Sequence, residues 1–226
     1  MHDENTGGRA TPTPNTARFA RTLDPAAAVA AWSRIADPAA RDAIASALGD
    51  LMAGNRRFVA GTPSPRDLHG ERAALVAGQR PAAAIVACSD SRIAIEDTFD
   101  APLGTLFGTK TAGSALDSAV LGSLEFAVAT LGVRLIVVLG HEKCGAVRVA
   151  MTADTPTGAL GALIAQLRAH ISGADGHEAA VRACAVATGR ALVTESPALG
   201  AAFDRGALAV VPAFYWLGDD RVDLLG

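Results

Sequence analysis

Ala82-Ala83-Ala84-Ile85-Val86-Ala87 is an uninterrupted apolar run of strand length, and it empties into Cys88-Ser89-Asp90-Ser91-Arg92. Such a run reads as a buried strand, and it delivers a thiol, a carboxylate and a guanidinium into one tight turn at its end. A second run, Leu135-Ile136-Val137-Val138-Leu139, ends in Gly140-His141-Glu142-Lys143-Cys144-Gly145, which adds an imidazole and another thiol in a similar setting. Between the two, Val120, Leu121, Leu124, Val128 and Leu131 keep helical spacing from Leu116 to Leu131, and Gly132 is the stop. That is the crossover helix which parallel strands require. Neighbouring parallel strands would bring both turns into the crevice where open α/β sheets place their ligands. Two thiols and one imidazole then form a zinc-like ligand set with room for a fourth ligand. The spacing His141-x-x-Cys144 is weak by itself, because cysteine often behaves as a small buried apolar residue; its place at a strand end, with Cys88 at another, gives it weight.

Outward from these strands the chain reads as an α/β fold, with a mostly parallel central sheet, an antiparallel edge strand, flanking helices and an N-terminal helical arm. Residues 1–20, with Gly7-Gly8 and Thr11-Pro12-Thr13-Pro14, are expected to be a flexible tail. Residues 21–60 form the arm. Asp24-Pro25 and Asp37-Pro38 each pair an acidic cap with proline at the first helical position. Val29, Trp32 and Ile35 make the stripe of the first helix; Ile44, Leu48, Leu51 and Met52 make that of the second, and both stripes need a partner surface. Residues 61–226 form the zinc-binding α/β domain. A proline-rich loop from Thr62 to about Gly70 leads to a short helix ending near Val76, a helical turn spans Ile93 to Phe99, and Leu103 to Lys110 reads as a second strand. Thr111-Ala112-Gly113-Ser114 is a small-residue turn that lets backbone approach a ligand. Helices follow from Gly145 to Met151, around Leu160 to Ile171, from Glu178 to about Leu192 and from Pro197 to Phe203. Ala207 to Val211, continued through Trp216, and Val222 to Leu225 close the chain as an edge hairpin.

Twenty basic and 23 acidic residues give a net charge of −3, with no basic block or basic-aromatic interleaving, which argues against nucleic-acid binding. The apolar stretches are strand-sized, which argues against a membrane span. Three cysteines, Cys88, Cys144 and Cys184, make no set of pairs, and the acidic N-terminus lacks the apolar core of a secretory signal; both suit a cytoplasmic location.

The pair Cys88-Ser89-Asp90-Ser91-Arg92 and His141-x-x-Cys144-Gly145 closely resembles the signature of the β-class carbonic anhydrases. Gly54-Asn55-Arg56-Arg57-Phe58, Gln79 ahead of the first strand and the terminal hairpin extend the likeness from about Leu51 to the end. Where that family commonly has arginine, asparagine or threonine, alanine, glycine and asparagine, this chain reads Lys110-Thr111-Ala112-Gly113-Ser114, so a forked donor becomes a point charge.

The resemblance implies zinc held by Cys88, His141 and Cys144. It implies reversible hydration of CO2 to bicarbonate and a proton by zinc-bound hydroxide, with the Asp90–Arg92 pair orienting that nucleophile. Released from Arg92, Asp90 could itself become the fourth ligand in a closed state. Taken alone, Asp90 and Arg92 read more readily as a structural ion pair holding the turn; beside Cys88 the catalytic reading outweighs it. Gln79 and the Gly145 N–H are substrate-binding candidates, although Gln79 also reads as a solvated turn residue. Lys143 has no assigned role, His69, His170 and His177 read as loop or helix-surface histidines, and Cys184 as a packed thiol with no ligand type nearby. A homodimer or dimer of dimers is implied, with the site at the subunit interface and the arm's stripes embracing the second subunit. Two rivals remain open: a zinc hydrolase of another small heterocumulene such as carbon disulfide, and a non-catalytic zinc-binding scaffold or bicarbonate sensor.

Overall fold

The computed structural model describes residues 22–226. Residues 1–20, read as a tail, lie outside them. The arm begins as its caps dictate. Asp24 accepts from the Ala27 N–H at 2.8 Å at the start of α1 (Pro25–Ala31), and Asp37 accepts from the Ala39 N–H at 3.2 Å at the start of α2 (Pro38–Val59). The first helix stops short of its expected stripe. Trp32 donates its ring N–H to the Leu225 carbonyl at 2.8 Å, and Ser33 forms an isolated antiparallel bridge with Ala209, so the chain is extended before it reaches Ile35.

The remaining elements follow in order: α3 (Leu68–Ala74), β1 (Ala83–Cys88), α4 (Ile95–Thr98), β2 (Leu106–Thr111), α5 (Ser118–Ala129), β3 (Leu135–His141), α6 (Gly145–Ala150), α7 (Gly158–His170), α8 (His177–Glu195), α9 (Pro197–Asp204), β4 (Ala209–Tyr215) and β5 (Val222–Leu224). The strand expected from Leu103 starts only at Leu106, because Gly104 sits at φ 78° and the Thr105 N–H turns back to the Pro102 carbonyl.

The five strands lie in the order β2-β1-β3-β4-β5, all parallel except β5, which returns antiparallel along β4. β1 and β4 are buried along their whole length and β3 almost so, which is why their sequences run apolar without alternation. After β1 the chain turns to β2 on one side; after β3 it turns to β4 on the other. The crevice between the ends of β1 and β3 is therefore the switch point of the sheet.

The arm packs on its own chain. Val29, Ile35, Ile44, Leu48 and Leu51 are buried in the single core of the protomer, so the stripes expected to embrace a second subunit are already covered. Asn55 of α2 locks this arrangement: its amide donates to the Thr98 and Asp220 carbonyls at 3.0 and 2.8 Å, and its oxygen accepts the Val222 N–H at 2.9 Å. Gly54 beside it is obligatory, since a Cβ there would stand 1.8 Å from the Phe99 carbonyl oxygen.

Candidate metal centre

Each ligand-type side chain sits where an element ends. Cys88 is the last residue of β1, His141 the last of β3, and Cys144 caps the start of α6. All three are buried, and their Sγ and ring nitrogen atoms lie within 4.8 Å of one another, the one such cluster among the described residues. An ideal zinc tetrahedron with two sulfurs needs the sulfurs about 3.8 Å apart, so small adjustments close this set on an ion.

Two observations test whether the donors suit a divalent cation. The first is the histidine. His141 Nδ1 lies 2.9 Å from the Glu142 carbonyl, which can only accept, so Nδ1 carries the proton and Nε2 presents a lone pair. That Nε2 is buried and has no hydrogen-bond partner. An imidazole nitrogen desolvated, unpaired and close to two thiols is a donor suited to a metal ion. The second is charge. The Cys88 thiol is pulled down, first by sharing a hydrogen bond with Cys144, against the opposing effect of burial, and further by the N–H groups of Gly113 and Asp90. The same sharing, with burial, pushes Cys144 up. Two buried thiolates this close cannot both ionise unaided; a divalent cation accepts both. The residues present fit zinc.

Gly113 explains why the small-residue turn is small. Its N–H donates to Cys88 Sγ at 3.2 Å, its φ is 66°, and a Cβ would come within 2.6 Å of Leu167 Cδ1. Ser114 follows, also left-handed at φ 58° and buried. Lys110, in place of the expected forked donor, reaches the Ile93 carbonyl with Nζ at 2.6 Å and so braces the turn after β1 from below.

At the mouth, Arg92 grips Asp90 with both arms: Nη2 to Oδ2 at 2.7 Å and Nε to Oδ1 at 2.9 Å, with the Arg92 backbone N–H on Oδ1 at 3.0 Å. The guanidinium holds this carboxyl well below the usual carboxylate range. Oδ2 still lies 4.0 Å from the orphaned His141 Nε2. The carboxylate thus borders the ligand cluster while its charge is committed to Arg92.

The cavity around the ligands is small, about 10 Å³, the space of one water-sized group. Its walls include Ser114, Val147, Val181, Cys184 and Ala185. Cys184 is therefore not remote from ligand-type residues as its sequence context suggested. It is buried in the same cavity with Sγ 3.9 Å from the Gly113 carbonyl, and burial pushes its thiol up to about 11, so it remains a neutral packed group. Val181, Cys184 and Ala185 come from one face of α8, as does His177, whose Nε2 lies 2.9 Å from the Cys144 carbonyl. The spacing 177, 181, 184, 185 was the sequence signal for this wall; nothing in it distinguished a site wall from ordinary core.

Other expected residues fall differently. Gly145 opens α6 directly after Cys144 and has open space around its Cα. Gln79 is exposed and precedes β1, about 17 Å of strand away from Cys88, so its own chain does not bring it to the ligands. Lys143 points outward to Glu142 at 3.3 Å. His170 faces Thr188, and His69 sits exposed in α3.

Residues 83–222 match the family model for carbonic anhydrase. A carbonic anhydrase of Mycolicibacterium smegmatis is 40% identical over 187 residues, covering 77% of this chain and 89% of that protein. Carbonic anhydrase 2 of Mycobacterium tuberculosis is 56% identical over 104 residues, 46% of this chain, and the match spans 50% of that relative's length. Among solved structures, the β-carbonic anhydrase CafA of Aspergillus fumigatus superposes with a TM-score of 0.60 at 26% identity, over 79% of this chain and 90% of that one. The matched segment runs from the first residue of β1 into β5 and so contains Cys88, His141, Cys144 and the Asp90–Arg92 turn: this chain belongs to the β-carbonic anhydrase family.

Proposed function

We propose that the protein is a zinc-dependent carbonic anhydrase, interconverting CO2 and bicarbonate with release or uptake of a proton. The observation that carries this reading is the buried, unpartnered Nε2 of His141 converging with two thiols beside a carboxylate held by arginine. The family's name and the likeness to the Mycolicibacterium smegmatis enzyme support it.

Cys88, His141 and Cys144 would hold zinc, whose Lewis acidity makes a nucleophile of water near neutral pH. The chain's own residues do the rest. Two thiolates balance the charge of a divalent ion, and the Gly113 N–H donates to one of them, fixing the direction of Cys88 Sγ. The Glu142 carbonyl fixes the His141 tautomer. Asp90, kept ionised by Arg92, is an acceptor that can orient a proton on the attacking group; while Arg92 holds both carboxylate oxygens, Asp90 does not compete as a ligand. Val147, Val181 and Ala185 line the cavity with apolar surface and keep bulk water from the donors. The Gly145 N–H, at the start of α6 directly after Cys144, is a backbone donor for a bicarbonate oxygen in this reading.

The reading extends to a homodimer or dimer of dimers. Gln79, exposed and at the opposite end of β1 from Cys88, would serve such a site only from a second copy. A cytoplasmic location is part of the reading, supported by three unpaired thiols; no helix among the described residues is long and apolar enough to cross a membrane. Metal analysis of purified protein together with stopped-flow CO2 hydration tests the proposal. One zinc per chain and turnover that a chelator abolishes are expected. Metal-free wild-type protein, or a zinc protein that does not hydrate CO2, overturns it.

A further inference from the structure

We propose that His177 is a positioning residue for the metal centre: its hydrogen bond to the Cys144 carbonyl fixes the Cys144–Gly145 peptide, and with it the Cys144 thiol and the Gly145 N–H. The inference rests on the metal-centre reading above.

His177 Nε2 lies 2.9 Å from the Cys144 oxygen. A carbonyl only accepts, so the ring donates from Nε2. The same oxygen accepts the Arg148 N–H at 3.1 Å, the first bond of α6. Both lone pairs of that carbonyl are thus engaged, and the plane of the peptide that links the ligand to Gly145 is set by two donors from different helices.

The constraint falls where the backbone needs one. Lys143, immediately before the ligand, is left-handed at φ 57° although it is not glycine. Such a conformation is unfavourable for a residue with a Cβ and persists only where the surroundings over-determine it. The six-residue α6 is too short to do this alone. The anchor of His177 is firm by comparison: α8 is 19 residues long, and Val181, one turn on, lies so close over Gly140 that a Cβ there would meet its Cγ1 at 3.0 Å. The long helix therefore transmits its position to the ligand loop through one hydrogen bond.

The test uses cobalt(II)-substituted protein, whose thiolate charge-transfer and d–d absorption report ligand geometry, and follows metal release to excess chelator. His177→Phe keeps a ring without a donor. His177→Asn keeps an amide too short to reach, and His177→Gln places an N–H near the original Nε2. Release about 10-fold faster or more is expected for Phe and Asn, the scale on which lost outer-shell partners act, with altered absorption bands. Gln should restore the wild-type bands and a rate close to wild type. The Asn variant, polar at a half-buried helix start, keeps the test open if Phe does not fold. Wild-type release and bands in Asn, or a Gln variant as labile as Asn, overturn the proposal. Wild-type protein that shows no thiolate–cobalt bands overturns the metal-centre reading itself, and this inference falls with it for that separate reason.

Discussion

Two carboxylate–guanidinium pairs stand close together in this chain and differ in what surrounds them. Asp90 is held by Arg92, two residues on, at the mouth of the ligand cavity; its side chain is 16% exposed and borders the orphaned nitrogen of His141. Asp100 is held by Arg57, whose Nε lies 2.5 Å from Oδ2, and its side chain is 2% exposed. The Ser64 N–H and hydroxyl also donate to Asp100, at 3.1 and 2.9 Å, and no ligand-type group lies in that network. The first pair leaves a charged acceptor beside unsatisfied chemistry. The second is saturated and ties α2, the loop around Ser64 and the end of α4 into one unit. A short ion pair therefore says little about role until its remaining lone pairs and its neighbours are counted.

If that contrast is right, damage at the mouth removes activity and damage at Asp100 removes stability. The largest effect should come from the ligands the mouth serves: Cys144→Ala leaves two donors and one unbalanced thiolate, so zinc retained after gel filtration should fall from one per chain to near zero. Full zinc occupancy would show that this cysteine does not bind the metal. Next, Arg92→Ala should retain zinc but lower CO2 hydration on the order of 100-fold, the scale of a positioned acid–base group. Its urea midpoint should stay near wild type, since Arg92 is exposed. Normal turnover in this variant would reduce the pair to a brace for the turn. Arg57→Ala should do the reverse. It should lower the unfolding free energy by about 2 kcal/mol, less than for a fully buried pair because Arg57 is half exposed and Ser64 still donates to the carboxylate. Its turnover per bound zinc should remain near wild type.

The two pairs also differ in how far the sequence discloses them. Asp90 and Arg92 share a turn with Cys88, so their meeting is local and readable. Arg57 and Asp100 are 43 residues apart and meet only because Asn55 and Gly54 press α2 onto the chain around Thr98 and Phe99. The same division runs through the fold. Asp24-Pro25 and Asp37-Pro38 mark helix starts by local chemistry, and the unbroken apolar runs of β1 and β3 declare strands covered on both faces. The end of α1 is different: Val29, Trp32 and Ile35 keep helical spacing, yet Trp32 is drawn to Leu225 at the far end of the chain. The wall of the site belongs to this second kind. Val181, Cys184 and Ala185 have the spacing of any buried helix face, and only the placement of α8 over the end of β3 turns that face toward the ligands. The position of Gln79, at the opposite end of β1 from Cys88, follows from strand direction, which its local turn does not encode.

The smallest effect sharpens the comparison through pH. Burial opposes ionisation of Asp100, but Arg57 and the two Ser64 donors outweigh it and hold the carboxyl below its ordinary value. A carboxylate with a lowered folded pKa contributes stability above the unfolded value of about 3.9, and that contribution fades as pH falls toward and through the folded pKa. The unfolding free energy of wild type should therefore exceed that of Asp100→Asn by a constant margin between pH 7 and pH 5. The margin should narrow once the pH drops below about 4, where the unfolded chain begins to take up a proton that the folded pair resists. Urea titrations of both proteins, stripped of metal so that ligand protonation contributes equally, measure that margin directly. If it widens on acidification, or is absent at neutral pH, Asp100 is not the stabilising member of the comparison.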